Sequence, residues 1–189
     1  MINDAGVPGA SERLVTADGY ERTLQVNALA PALPTRLLVP RLSRGARVVN
    51  VGSSAHRIEH FDFDFDDIDL EHDYSSLAAY ARAKLAMATW SSLLAEELGS
   101  SPVTVVALCP GLNDRPLSAA MMGRIGGPPS EGAARVLFAS TADVPSGSYL
   151  ENDRLASPSP EVFDRGNRER LTRVYWERLG RFARVGKRA

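Results

Sequence analysis

The chain has 189 residues, of which 44% are hydrophobic and 24% are charged, a composition typical of one ordinary globular domain. Its formal net charge of -1 creates no field that would attract nucleic acid or an anionic membrane, and we expect neither as a partner. Cys109 is the only cysteine, so an intramolecular disulfide is excluded. Because the sequence also lacks a signal-peptide pattern and an apolar run long enough to span a bilayer, we expect a cytoplasmic protein.

The first third of the sequence predicts a strand, a helix and a second strand. Residues 1–6 are typical of the end of a buried strand that enters a turn. Over residues 16–42, leucine and valine recur at mixed three- and four-residue steps, which predicts a helix that Pro31 kinks or divides. The β-branched run over 46–52 predicts a buried strand, and it leads directly into Ser53.

A polar connection over residues 57–75 separates this strand from the next helix. Its alternating phenylalanines and aspartates predict a surface loop that is anchored by the aromatic rings. Carboxylates in such a row can bind Ca²⁺, but the glycine needed at the sixth position of a calcium loop is missing, so we expect no metal site. His56, His60 and His72 lie in or near this loop, and we expect all three to be exposed.

The rest of the sequence alternates helices with apolar strands. In order, it predicts a helix over 76–98, a strand over 103–108, a loop over 112–129, a helix over 130–139, a strand over 147–150 and a helix over 168–179. This alternation predicts the α/β class with a doubly wound parallel sheet, in which strands 46–52, 103–108 and 147–150 are neighbours in that order. Ligands of such sheets bind at the carboxyl ends of the strands, where this chain has Ser53 and Pro110-Gly111.

Tyr80 and Lys84 stand four residues apart in the predicted helix and therefore on one face of it. An ammonium beside a phenol favours the phenolate and lowers its pKa from about 10, which makes the tyrosine a usable general acid or base. The chain has only one other lysine, Lys187, so this spacing has little chance of arising by accident. The alternative is a pair of unrelated residues on a solvated helix.

Several short motifs, spread over nearly the whole chain, resemble those of the short-chain dehydrogenase/reductase family. Residues Asn3-Asp4-Ala5-Gly6 are similar to its Asn-Asn-Ala-Gly turn, with an aspartate in place of the second asparagine. The other matches are Asn27 for the helix asparagine, Ser53 for the catalytic serine, Tyr80 and Lys84 for the Tyr-x-x-x-Lys pair, and Pro110-Gly111 for the Pro-Gly that borders the nicotinamide. The chain most resembles the retinol dehydrogenase and WW-domain oxidoreductase branch, through residues 18–21, 54–57 and 131–133 and Tyr175-Trp176.

The resemblance implies the C-terminal part of a Rossmann fold that transfers a hydride between NAD or NADP and a small alcohol or carbonyl compound. Tyr80 would exchange the proton with the substrate oxygen, Ser53 would polarise that oxygen, and Lys84 would bind the nicotinamide ribose and lower the pKa of the tyrosine. Asn27 would hold a water of the proton relay. The family also implies a homo-oligomer. The residues implied for cofactor binding are Asn3, Ala5, Gly6, Tyr80, Lys84, Pro110 and Gly111.

Two of these residues have a plainer interpretation that the sequence leaves open. Asn27 could satisfy only backbone groups at a kink near Pro31, and Ser53 could be a turn or cap residue. One further position departs from the family, because Arg115 stands where a threonine usually binds the nicotinamide carboxamide. An arginine there could still donate a hydrogen bond to it.

The largest departure is the lack of the Thr-Gly-x-x-x-Gly-x-Gly turn, which binds the pyrophosphate and belongs to the first half of the family fold. We therefore interpret residues 1–189 as a single partial Rossmann-type domain, truncated at its dinucleotide-binding half, and expect that it binds no nicotinamide cofactor by itself. Two functions stay open. One is an oxidoreductase with a longer chain, and the other is an inactive member that acts only as a binding or assembly partner.

Overall fold

A five-stranded sheet forms the centre of the computed structural model, which describes residues 1–60, 62–123 and 125–180. The strands lie in the order of the sequence, and the first four are parallel while β5 is antiparallel to β4. The predicted order of parallel neighbours is confirmed, and so is the α/β class. The strands are β1 (Ile2–Asn3), β2 (Arg47–Val51), β3 (Thr104–Cys109), β4 (Ser148–Glu151) and β5 (Arg154–Ala156).

The strand β5 was not predicted, because its hairpin depends on two residues rather than on a hydrophobic pattern. Asn152 and Asp153 connect β4 to β5, and both have positive φ angles, of 51° and 58°. Asparagine and aspartate tolerate this left-handed conformation, and two such residues in succession form the turn that best matches the twist of a two-stranded hairpin.

The first helical region begins later than predicted and is divided by a π-helical turn. Helix α1 (Arg22–Leu24) leads into the π turn Gln25–Leu29 and then into α2 (Ala30–Leu38). The start is set by Glu21, whose carboxylate caps the helix by accepting the main-chain N–H groups of the next turn at 2.8 and 2.7 Å. Pro31 stands in the first turn of α2 and has no N–H to donate back to the carbonyl of Asn27.

The longest helix, α3 (Ser76–Glu97), confirms the predicted helix over 76–98 and lies at the centre of the core. Its N terminus is capped by Ser75, whose hydroxyl accepts the N–H of Ala78 at 3.1 Å. Helix α3 packs on the α1 region, on β3 and on the short turn over 54–57, so most of its circumference is buried. The expected packing between the helices that contain Asn27 and Tyr80 is confirmed.

The segment predicted as a loop over 112–129 contains a further helix, α4 (Pro116–Met122). Proline is well tolerated in the first turn of a helix, where its missing N–H has no partner to lose. Ser118 strengthens this start, because its hydroxyl accepts the N–H of Arg115 at 3.0 Å. Helix α5 (Pro129–Thr141) follows and covers the opposite face of the sheet from α3.

The C-terminal helix α6 (Arg165–Leu179) closes the core over α3. It begins three residues before the predicted start, because Asp164 caps it by accepting the N–H of Asn167 at 2.8 Å. On its inner face Tyr175 stacks against Trp90 of α3, with ring centres 6.2 Å apart.

Asp69 connects the aspartate-rich loop to α6, and we expect Asp69→Asn to lower the free energy of unfolding by about 2 kcal/mol. Its carboxylate binds the Arg178 guanidinium through both oxygens and accepts the N–H of Glu21 at 2.9 Å. The pair is mostly buried, so the amide would leave the guanidinium without its counter-charge. Urea unfolding measures the effect. Glu169→Gln, which breaks the exposed pair with Arg165, is the control and should leave the stability nearly unchanged.

The described residues contain neither a membrane-spanning helix nor a metal-binding cluster. No helix there is long and apolar enough to cross a membrane, and no group of three or more histidine, cysteine, aspartate or glutamate side chains is placed to hold a metal ion.

Candidate active site

A cavity of about 290 Å³ opens at the carboxyl ends of β2 and β3. Ser53 and Tyr80 line it together with Pro110 and Gly111, so four of the predicted site residues share one wall. The rest of the wall is mostly apolar and comes from the turn over 54–57, the start of α3 and helix α4. Its apolar side chains are Ala55, Ile58, Leu77, Leu112, Leu117, Met121 and Met122.

Ser53 follows β2 with an extended main chain, and its hydroxyl has two contacts. The hydroxyl accepts the N–H of Ala55 at 3.2 Å, which makes Ser53 the cap of the short turn over 54–57. It also lies beside the phenol of Tyr80 and acts to lower the pKa of that phenol. Ser53 is therefore a cap residue, as the plainer interpretation proposed, and in addition lies next to Tyr80.

Tyr80 is nearly buried, and burial raises the pKa of its phenol above the ordinary value. The Ser53 side chain and the charge of Arg115 act in the opposite direction but do not outweigh burial. The expectation that Lys84 lowers this pKa is therefore wrong for the structure described here. The phenol, not the phenolate, is the stable form of Tyr80 near neutral pH.

Lys84 lies behind the cavity rather than in its wall. Its ammonium donates a hydrogen bond to the carbonyl of Val51 at 2.9 Å and lies 5.6 Å from the centre of the Tyr80 ring. Burial lowers the pKa of Lys84 to about 8, although the nearby Asp4 carboxylate raises it and Arg115 lowers it further. The predicted placement of both side chains on one helix face is confirmed, and their predicted electrostatic relation is not.

Asn27 is fully buried in the π turn, and its side chain serves the main chain of the segment after β1. Its amide donates to the carbonyl of Val7 at 2.9 Å and accepts the N–H of the same residue at 2.8 Å. The side chain thus satisfies main-chain groups, as the plainer interpretation proposed, but they belong to Val7 and not to the kink near Pro31. Within the described residues, Asn27 is not part of the cavity wall, so the four predicted catalytic residues do not all converge on it.

The segment Asn3-Asp4-Ala5-Gly6 leaves the sheet beside Asn27. The amide of Asn3 donates to the side chains of Asn50 at 2.7 Å and Thr35 at 3.0 Å, and so fixes the end of β1. Ala5 and Gly6 are exposed, and a Cβ on Gly6 would stand 3.2 Å from the Asn27 side-chain oxygen. None of these residues lines the described cavity, and their cofactor-binding role stays a prediction.

No family model matches the chain. It is, however, 34% identical over 193 residues to the polyprenol dehydrogenase of Mus musculus, a match that covers 90% of this chain and 57% of that protein. It is 36% identical over 194 residues to retinol dehydrogenase 12 of Homo sapiens, with 95% of this chain and 60% of that protein covered. The chain belongs to the short-chain dehydrogenase/reductase family.

Solved structures share the fold of the chain. The chain superposes on a putative uncharacterized protein from Mycobacterium paratuberculosis with a TM-score of 0.75 at 28% identity, covering 94% of this chain and 65% of that one. The fold alone is shared with the 3-ketoacyl-(acyl-carrier-protein) reductase of Brucella melitensis, at a TM-score of 0.58 and 24% identity over 80% of this chain and 64% of that one. The chain thus spans about 60% of the length of its curated short-chain dehydrogenase/reductase relatives.

For this short-chain dehydrogenase/reductase, the described residues fit one end of a nicotinamide dinucleotide. Beside Pro110-Gly111, the buried Asn113 donates its amide to both carbonyls, at 3.1 and 2.9 Å, while its own oxygen has no hydrogen-bond partner in the described part of the chain. Arg135 of α5 also donates to the Pro110 carbonyl, at 2.7 Å. A buried acceptor without a donor suits the amide group of a ligand such as a carboxamide. For the pyrophosphate, residues 1–189 contain no glycine turn.

Sequence reasoning missed Asn113, Arg135 and His56. His56 was expected at the surface but is only 4% exposed, so that expectation is wrong. Its burial depends on a segment about a hundred residues later in the chain, which no local pattern indicates. Asn113 follows the Pro-Gly pair at turn distance, and that position was the one signal that could have identified it.

Proposed function

We propose that the full-length protein transfers a hydride between a nicotinamide dinucleotide and an apolar alcohol or carbonyl compound. Full-length here means residues 1–189 with any residues that the gene encodes in frame before them. The observation that carries the proposal is that Ser53 and Tyr80 line one cavity whose other walls are mostly apolar. The names of the relatives, polyprenol and retinol dehydrogenases, support the same reaction class.

In the proposed reaction, Tyr80 donates a proton to the substrate oxygen during reduction and accepts it during oxidation. The hydroxyl of Ser53 donates a hydrogen bond to the same oxygen, on which negative charge develops. Tyr80 is protonated near neutral pH and therefore has a proton to donate to a carbonyl oxygen, although burial makes it a weaker acid than a free phenol. The nicotinamide, when bound, supplies or accepts the hydride, and Pro110, Gly111 and Asn113 are the residues that would hold it.

Lys84 and Asn27 are proposed to return the proton to Tyr80. With a pKa of about 8, the Lys84 ammonium can release and regain a proton near neutral pH. The carbonyl of Asn27 has no N–H opposite it at Pro31 and can therefore accept a hydrogen bond from water. The side chain of Asn27 then holds this turn in place instead of touching the substrate.

The apolar wall limits the substrate. Ile58, Leu77, Leu112 and Met122 are between 36% and 54% exposed, and all lie around the cavity. Such a cluster of exposed apolar side chains at a cavity favours an apolar ligand. The fixed polar groups at its base would orient only the reacting oxygen.

The test is reduction of linear aldehydes of increasing length by the full-length protein with NADH or NADPH. We expect kcat/KM to rise about three- to fourfold for each added methylene until the cavity is filled. Glyceraldehyde is the polar control and should react poorly. A protein that binds the cofactor in calorimetry but reduces no aldehyde and oxidises no alcohol would contradict the proposal and favour the inactive binding partner.

A further inference from the structure

His56 connects the Ser53 main chain to a distant segment. Its Nδ1 lies 2.5 Å from the carbonyl oxygen of Ser53, and its Nε2 lies 3.1 Å from the main-chain nitrogen of Ser159. The ring is buried between the turn over 54–57 and the start of the 3-10 turn Pro160–Val162. Both ring nitrogens therefore have a main-chain partner, one next to the cavity and one far from it in sequence.

The partners fix the protonation of the ring. A main-chain N–H can only donate, so Nε2 must accept the hydrogen bond from Ser159. The single proton of the neutral imidazole is therefore on Nδ1 and is donated to the Ser53 carbonyl. A second proton on Nε2 would face the Ser159 N–H and break that contact.

We propose that His56 is a positioning residue for Ser53: its Nδ1–H holds the Ser53 carbonyl and so keeps the serine hydroxyl opposite Tyr80, while the contact of Nε2 with Ser159 only stabilises the ring. This proposal rests on the proposed function and adds to it a residue outside the cavity wall. Ser53 lies at a strand end where its main chain is extended, and its carbonyl accepts both the main-chain N–H of His56, at 3.4 Å, and the ring N–H of the same residue. Fixing a reacting group to within a fraction of an ångström has large effects on rate.

The groups around the ring support a fixed neutral imidazole. On β4, Tyr149 packs against the ring with centres 5.1 Å apart, and Glu151 pairs with Arg57 at 2.9 Å. Arg57 also donates to the carbonyl of Ser157 at 2.7 Å. The turn over 54–57 therefore contacts residues 157–159 through both Arg57 and His56. Burial lowers the pKa of His56, with the Arg57 charge acting in the same direction and Glu151 against it.

Two substitutions test the contacts of the two ring nitrogens separately. In His56→Asn the amide nitrogen can occupy the position of Nδ1 and keep the donor to Ser53, while the contact to Ser159 is lost. In His56→Gln the amide oxygen can occupy the position of Nε2 and keep the acceptor for Ser159, while the contact to Ser53 is lost. Each variant loses one hydrogen bond, so we expect both to be destabilised by a similar amount, about 1 kcal/mol.

In the full-length protein, we expect His56→Gln to lower kcat about 10- to 100-fold with little change in KM, and His56→Asn to stay within about threefold of the parent. The two variants are matched in stability, so a purely structural role predicts equal losses. Equal losses of kcat in both variants, or a greater loss in His56→Asn, would overturn the proposal. A rise in KM alone would do the same.

NMR of the His56 ring nitrogens tests the geometry without any turnover. We expect a proton on Nδ1 and a pKa below 6.5, the ordinary value. Because the unfolded chain binds this proton at a higher pH than the folded one, the free energy of unfolding should fall as the pH drops below about 6.5, and less so in both variants. A proton on Nε2 would overturn the proposal. If NMR shows the expected tautomer but the full-length protein has no oxidoreductase activity, the proposed function is refuted and the position of the ring proton is not.

Discussion

Tyr80→Phe is expected to lower kcat of the full-length protein at least about 10²-fold, the lower range for loss of a positioned proton donor. The phenylalanine ring fills the same space, so the helix and the cavity wall should be kept. Only the phenolic hydroxyl beside Ser53 is removed. Steady-state reduction of the best aldehyde from the length series measures the effect.

Tyr74→Phe is the matched control for this substitution. The Tyr74 hydroxyl donates to the carbonyl of Ala10 at 3.1 Å, and Tyr74 is not in the described cavity wall. Its loss should reduce stability by about 1 kcal/mol and leave kcat unchanged. Near-normal turnover of Tyr80→Phe would remove Tyr80 from the mechanism and leave the cavity with no proton donor of the proposed kind.

The main strands and the long helix could be predicted because their signals are local. Residues 46–52 and 103–108 are short apolar runs, and the structure makes them neighbouring parallel strands buried on both faces. Helix α3 carries its own start signal at Ser75. The features that were missed depend on single residues or on distant ones: β5 on two left-handed residues, and the burial of His56 on the segment at Ser159.

The identity of the site residues could be predicted from the sequence, but the direction of the Tyr80 pKa shift could not. Residue types and spacing identified Ser53 and Tyr80, which share the cavity. They also suggested that Lys84 would lower the pKa of the tyrosine. The degree of burial decides the direction of that pKa, and burial is set by residues from β2, β3 and the alanine-rich face of α3 together. A spacing of four residues in a helix predicts that two side chains lie close together. It does not predict the free energy needed to remove them from water.

Lys84→Met is expected to raise the stability of the protein at pH 7 while it lowers kcat at least about 10²-fold. Keeping a buried ammonium with a pKa near 8 rather than 10.5 charged at neutral pH costs about 3 kcal/mol. Methionine fills a similar volume without that cost. The carbonyl of Val51 loses its donor, which offsets about 1 to 2 kcal/mol, so we expect a net gain of about 1 kcal/mol.

The pH dependence gives the sharper measurement of this substitution. Between about pH 8 and 10.5 the unfolded chain binds more protons at Lys84 than the folded protein, so the free energy of unfolding of the parent should rise with pH over this range. Lys84→Met should lack this rise. Arg165→Met, at the exposed start of α6, serves as the control and should retain it. A variant that is less stable at pH 7 and keeps the rise would show that Lys84 is not the buried, easily deprotonated group on which the proposed proton return depends.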